Sequence, residues 1–296
     1  MFSHTKRLQY HAKPDTPDPA FAKCLQEVLG GQFGEISVMM QYLFQGWACR
    51  GPQKYRDMLL DIGTEEIGHV EMLATMIARL LETASPDDQQ AAGEKSSVLG
   101  AVLGGGNTRD AILAAAMNPQ HLIVSGCGAM PVNSTGVPWN GGYIIASGNL
   151  LADFRHNLTA ESQGRLQVCR LYEMTDDAGV RDMLSFLIAR DTMHQNQWIA
   201  AIAELEASGL EMTPCPSAFP LAREKREVAY DFLNFSIGTE SADGRWASGP
   251  SPDGHGTFRY VETPEAIAEA PMLAPVDPRL CGTPMEPGMG ARVAGG

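Results

Sequence analysis

The chain has 296 residues, with 22 Lys and Arg against 35 Asp and Glu, a formal charge of −13. Hydrophobic residues at 44% suffice for a sizeable core, and charged residues at 19% are too few for a disordered chain. The acidic balance argues against binding nucleic-acid phosphates, and no segment reaches the roughly 18 uninterrupted apolar residues of a membrane span. The opening MFSHTKRLQYHAKP carries no apolar stretch of the secretory kind. Six cysteines are scattered without a CxxC and read as free thiols of a reducing compartment, so a cytoplasmic setting is expected.

Residues 1–17 read as an extended arm. A first helix is predicted from about Asp18 to Arg50, with Asp18 as N-cap, Pro19 in the first turn and Gly51-Pro52 as the stop. A second follows from about Pro52 to Glu82. Residues 85–147 form a long crossover, with a short helical segment near Asp110–Met117 and then a Gly-, Pro- and Asn-rich stretch. A third helix is predicted from about Asn149 to Met174. The fourth runs from about Gly179 to Ser208, capped by Asp177. The short gaps within each pair make antiparallel hairpins, and a long crossover between two hairpins is the connection of ferritin-like bundles. Residues 18–210 are therefore expected to be an all-α four-helix bundle. The tail, 211–296, holds eleven of the nineteen prolines and no helical period. It reads as extended and mostly irregular, packed on the bundle or on a neighbouring subunit.

Each helix has an apolar stripe at the i, i+3, i+4, i+7 spacing, and each stripe is interrupted by an acid. The stripes are Val28, Gln32, Glu35, Met39 and Tyr42 in the first helix, and Leu59, Ile62, Glu66, His69, Leu73, Met76 and Leu80 in the second. In the third they are Phe154, Leu158, Glu161, Arg165, Val168 and Tyr172. In the fourth they are Leu184, Leu187, Asp191, His194, Trp198, Ala201 and Leu205. One Glu-x-x-His alone usually faces solvent, and of the adjacent Glu65 and Glu66 one reads as a surface acid. His4, His11, His121, His156 and His255 have no such placement.

Four unpaired carboxylates in one core would each cost several kcal/mol, and divalent ions compensate them best. A Glu and a His three residues apart share a helix face and can share a metal. One lone Glu from each of two helices plus Glu-x-x-His from each of the other two is the ligand set of di-iron and di-manganese bundles. Glu35 and Glu161 are the lone glutamates, Glu66–His69 is the first pair, and Asp191–His194 stands where the second belongs. Asp191 is one CH₂ short of Glu, so it reads as a group that orients His194 or handles a proton rather than as a ligand. Carboxylates and imidazoles without thiolate suit Mn or Fe.

The stretches GQFGEISVMMQYLFQGW, KYRDMLLDIGTEEIGHVEM, LTAESQGRLQVCRLYEMTDD and MLSFLIARDTMHQNQW resemble the manganese catalases, non-haem catalases of the ferritin-like superfamily. The resemblance extends over most of the chain. It implies an enzyme that dismutates hydrogen peroxide to water and O₂ at two Mn ions per subunit. Glu35, Glu66 and His69 would hold one Mn, Glu161 and His194 the second, and Glu66 would bridge. Tyr42 would be a hydrogen-bonding neighbour of the ligands, Asp191 an outer base and Arg165 the basic side chain near the site, Ala160 being none. The resemblance also implies a structural Ca²⁺ on Asp57, Asp61, Asn234, Ser236 and Gly238, and a homohexamer with tails wrapping neighbours. Without it, Asp57 and Asp61 read as solvated surface acids. Two other readings are carried: a di-iron carboxylate oxidase, and a non-catalytic structural or coat-type relative.

Overall fold

The computed structural model describes residues 4–82, 124–209, 214–266, 268–274 and 279. The short helix predicted near Asp110–Met117 and much of the crossover lie outside them. Two compact units divide the chain at Met1–Phe219 and Pro220–Gly296.

Among the described residues of the first unit the α-helices are α1 (Pro19–Gly30), α2 (Glu35–Ala48), α3 (Gln53–Leu80), α4 (Leu150–Glu173) and α5 (Ala178–Ala207). The starts of α1, α4 and α5 are fixed by side chains that satisfy otherwise unpaired backbone donors. Asp18 accepts from Phe21 N at 3.0 Å, Asn149 from Ala152 N at 3.0 Å and Asp177 from Val180 N at 2.9 Å. α2 lies along α3, and α4 along α5. The two hairpins follow from the short gaps. Among the described residues no helix is long and apolar enough to cross a membrane.

The first helix is not continuous, contrary to the periodic reading. α1 ends at Gly30 and α2 begins at Glu35. Gly31 is extended (φ −72, ψ 173), and so is Gly34 (φ −84, ψ 169), the N-cap of α2. The crossover packs against the chain at the break. A Cβ on Gly30 would lie 2.4 Å from the Val132 carbonyl oxygen, so the two backbones meet where a helix surface would carry side chains. Gln32 falls in the break and is exposed rather than on a core stripe. Glu35 becomes the first residue of α2, where the helix dipole favours an acid.

Buried amides clasp the crossover to the bundle. Gln26 Nε2 donates to the carbonyls of Met130 (2.6 Å) and Val132 (2.8 Å), and its Oε1 accepts from Met130 N. Gln41 Oε1 accepts from Ile145 N, and Gln45 Nε2 donates to Ile145 O at 2.7 Å. The arm is pinned too. Asp177, besides capping α5, accepts from Asp15 N and Thr16 N, and Arg79 Nη1 donates to Ala12 O.

The core has two apolar clusters. One gathers Phe21, Leu25, Met72, Met76, Val180 and Leu184, among others. The other gathers Tyr42, Leu59, Phe154, Trp198 and Leu205. On α3, Glu66 and His69 fall between the two; on α5, Asp191 and His194 do. The polar layer is thus closed along the helices by apolar packing on both sides.

The second unit holds a three-stranded sheet in the order β1 (Asp231–Leu233), β3 (Thr257–Val261), β2 (Ser248–Pro250). β1 is parallel to β3 and β2 antiparallel to it. Among the described residues the rest of this unit is turns, short 3₁₀ segments and irregular chain, in keeping with the expected irregular tail.

Gly30→Ala forces a methyl onto the Val132 backbone, and overpacking of this kind costs about 1–3 kcal/mol. A lowered unfolding midpoint in denaturant is expected. An unchanged midpoint would mean that the crossover is not fixed against α1.

Candidate metal centre

The core stripes bring six side chains of four helices into one layer: Glu35 (7% exposed), Glu66 (1%), His69 (0%), Glu161 (4%), Asp191 (4%) and His194 (0%). Five of them sort into two groups, Glu35–Glu66–His69 and Glu66–Glu161–His194. Within each group the candidate ligand atoms lie within 4.8 Å of one another. Glu66 belongs to both. Its Oε2 is 2.6 Å from His69 Nδ1 and its Oε1 is 2.8 Å from His194 Nδ1. Glu35 Oε2 stands 3.8 Å from His69 Nδ1, and Glu161 Oε1 stands 3.5 Å from His194 Nδ1. The imidazoles face each other with centroids 5.8 Å apart and an interplanar angle of 29°.

These atoms fit a metal pair. His194 Nδ1 is buried and makes no hydrogen bond despite its 2.8 Å approach to Glu66. An orphaned buried nitrogen aimed at carboxylates is the posture of a ligand. The donor set is three carboxylates and two imidazoles, hard to borderline, as Mn and Fe prefer. Asp191 lies in the layer but joins neither group.

Around the layer, Tyr42 donates its hydroxyl to Glu161 Oε1 at 2.6 Å. Arg165 is half-buried, and its Nε donates to Thr192 Oγ1 at 3.1 Å. Two further residues escaped the sequence reading. Glu65 directs Oε2 to His194 Nε2 at 3.2 Å and Oε1 towards His69 Nε2 at 3.7 Å. Arg190 grips Glu65 with Nε on Oε1 (2.6 Å) and Nη2 on Oε2 (3.2 Å). The signal for both was the four-residue spacing Glu65–His69 and Arg190–His194, which puts each one turn from a histidine.

The electrostatics follow from crowding acids in a dry layer. Burial first, and then the Glu66 charge, push Glu35 up to about 8. Asp191 is pushed well above the carboxylate range by burial and by Glu35, Glu161 and Glu66. Glu161 is raised by burial, with Tyr42 and His194 opposing. Burial works against ionised Glu66 as well, but the adjacent His69 and His194 outweigh it and hold it below the usual range. Burial likewise disfavours charge on His194, but the Glu66, Glu161 and Glu65 carboxylates raise it to about 12. His69 is raised well above its ordinary value by the same balance.

A group with a raised folded-state pKa contributes stability that is full below its unfolded value and is lost as pH rises through the folded one. Glu35, Glu161, Asp191 and both histidines are raised. The lowered Glu65 and Glu66 act the other way, but their contribution is complete well below neutrality. The metal-free protein should therefore lose thermal stability between about pH 6 and 8. Scanning calorimetry across that window checks this, and a rising midpoint would contradict it.

The five residues expected to hold calcium fall in the two different units. Asp57 and Asp61 are exposed on α3, and Gln53 Nε2 donates to Asp57 at 2.6 Å. In the second unit, Asn234 Oδ1 accepts from Ser236 N and Oγ, and its Nδ2 donates to Gly238 O.

Comparison with known proteins bears on the whole chain. Residues 1–292 match the family described as manganese containing catalase. A manganese catalase of Bacillus subtilis is 62% identical over 278 residues, which cover 94% of this chain and 96% of that protein. One of Lactiplantibacillus plantarum is 46% identical over 287 residues, 95% and 98% of the two chains. The crystal structure of KatB, a manganese catalase from Anabaena, superposes with a TM-score of 0.66 over 89% of this chain and 100% of that one; at 24% identity this shows the shared fold. The chain belongs to the manganese-containing catalase family.

Proposed function

We propose that this protein is a catalase that dismutates hydrogen peroxide, 2 H₂O₂ → O₂ + 2 H₂O, at a dinuclear manganese centre. The observation that carries the reading is Glu66, one buried carboxylate shared between two three-residue groups of hard donors. Glu35, Glu66 and His69 would hold one ion, and Glu66, Glu161 and His194 the other. The chemistry that bound manganese supplies is a two-electron redox couple, which matches the oxidation of one peroxide and the reduction of the next.

The chain's own residues divide the remaining work. Tyr42 holds Glu161 in place through its hydroxyl. Asp191, buried among three other acids, takes and returns protons at its carboxyl oxygens. Arg165 is kept as a basic neighbour, supported by its bond to Thr192, the residue after Asp191. The apolar clusters on either side of the layer keep it dry and favour a small substrate.

Finer features belong to the same proposal. The family resemblance supports a homohexamer, and Phe235 and Ile237, exposed at 84% and 106% in the second unit, supply apolar surface for the tail to bury on the bundle or a neighbouring subunit. It also supports a Ca²⁺ on Asp57, Asp61, Asn234, Ser236 and Gly238, to be sought by elemental analysis. A cytoplasmic setting is supported by five unpaired cysteines among the described residues.

The test is O₂ evolution from H₂O₂ by protein expressed with Mn(II), against free Mn(II) at equal concentration. One O₂ per two H₂O₂, far above that control, is expected. Two bound metals without turnover would move the function to an iron oxidase or a structural relative. Glu66→Ala and His194→Ala should lose metal and activity together, and two ions per chain retained in either variant would overturn the ligand set. Asp191→Asn should keep both ions and lower kcat by about 10²–10⁴-fold, the usual span of a general acid–base group. An unchanged kcat would remove Asp191 from the proton path.

A further inference from the structure

The two histidines of the layer sit on different helices but share an orientation. Both present Nδ1 to Glu66. Both turn Nε2 to a single second carboxylate, Glu65, which is 21% exposed where the candidate ligands are nearly or fully buried. One oxygen serves each ring. Oε2 is 3.2 Å from His194 Nε2, and Oε1 is 3.7 Å from His69 Nε2. His69 Nε2 is buried and has no hydrogen-bond partner. Glu65 is the carboxylate in front of it.

We infer that Glu65 is one positioning residue shared by both halves of the metal centre. Its carboxylate takes the Nε2–H of His69 and of His194, and so leaves Nδ1 of both rings as a bare lone pair facing the ions. The inference rests on reading the layer as a dinuclear metal centre. Glu65 touches neither ion nor substrate; it acts through the imidazoles. A neutral imidazole carries one N–H, and the acceptor on one nitrogen decides that the other is free to ligate. An ionised acceptor also makes the ligating nitrogen more basic, which strengthens the metal bond.

Three contacts hold Glu65 in this role. Arg190 binds both its oxygens, so the fork spans the carboxylate that the two rings divide. Only a planar guanidinium does this, since an ammonium is a single point charge. Gln9 Nε2 donates to Oε1 at 2.9 Å, which brings the N-terminal arm to the centre. Beside it, Tyr10 stacks on Phe186 (4.4 Å, 4°), and Phe186 meets the His69 ring edge-on at 6.5 Å. The Glu65–Arg190 pair is neutral as a whole, so an acceptor is added without further net charge beside a layer already crowded with acids. The pair also joins the turn of α3 that carries His69 to the turn of α5 that carries His194.

A partly exposed ion pair could serve stability alone, so the test must separate the two roles. The full-length protein is loaded with Mn(II) and dialysed against graded chelator. Manganese per chain is measured by elemental analysis, and the unfolding midpoint of each sample is recorded. Glu65→Gln should bind manganese about 10–100-fold more weakly, the usual cost of losing a ligand's outer partner. Arg190→Lys should lose less than that but stay below wild type. The double variant Glu65→Gln/Arg190→Gln has no unpaired charge. It should remain as weak as Glu65→Gln if the carboxylate acts through the imidazoles, and recovery of wild-type retention would overturn the inference. Wild-type retention in Glu65→Gln would overturn it as well. If Glu65→Gln does not fold, Arg190→Lys decides alone, and wild-type retention there is the contrary result. Wild-type protein that holds no manganese would instead sink the dinuclear reading itself, a distinguishable failure.

Discussion

Four carboxylates share one dry layer, and the rest of the bundle is arranged around that fact. Glu35, Glu66, Glu161 and Asp191 are all at most 7% exposed. Burying even one ionised acid without a partner costs several kcal/mol. The metal-free chain meets the cost by sharing protons: Glu35, Glu161 and Asp191 are biased towards their neutral forms, and both histidines towards their charged forms. Glu66 alone is driven towards ionisation, because it sits between the imidazoles. Divalent cations held by the proposed ligands would reverse this arrangement. They would displace protons, so that binding at the layer would be coupled to proton release and to the stability of the bundle.

The helix break between α1 and α2 serves the same layer. A continuous helix would make Glu35 one interior position among many. The extended backbone at Gly31 and Gly34 instead makes it the first residue of α2. The crossover maintains that geometry through groups that cannot be left unpaired. Val132 closes on Gly30, Gln26 binds the backbone at Met130 and Val132, and Trp139 Nε1 donates to Ser37 Oγ, two residues past Glu35. Further along, Gln41 and Gln45 both donate to Asn157 Oδ1 and both hold the Ile145 backbone. A buried amide left without a partner would cost about 1–3 kcal/mol, so each of these contacts selects one path for the crossover. The loop is thus part of what places a candidate ligand.

Much of this was legible in the sequence because the bundle is periodic. All seven stripe residues on α3, from Leu59 to Leu80, are buried, as are all seven on α5, from Leu184 to Leu205. Both metal groups come from residues that the stripes singled out. What escaped was set by contacts far apart in the chain. Glycine is tolerated in a helical pattern, so Gly30, Gly31 and Gly34 did not announce a break where Val132 closes on the helix. Glu65 looked like a surface acid because its partners, Arg190 and His194, lie about 125 positions away. The expected basic neighbour, Arg165, satisfies the helical spacing, but the guanidinium joined to the histidines through a carboxylate is that of Arg190. Spacing gives the face of a helix; it does not give what another helix places opposite.

Asp191 shows how one missing methylene bears on the proposed chemistry. With Glu at that position, an acid and a histidine on α5 would mirror Glu66 and His69 on α3, and two ions would share six protein ligands. Aspartate stays outside both groups, so under the proposed ligand set five side chains would serve two ions. The withheld carboxyl is not removed from the layer. It remains buried and close enough to Glu35, Glu161 and Glu66 to feel all three charges. A carboxyl that is not a ligand keeps its proton available, whereas a metal-bound carboxylate has given its proton up. In the proposed chemistry the shorter side chain would therefore serve as a proton carrier beside the ions rather than as a ligand to them.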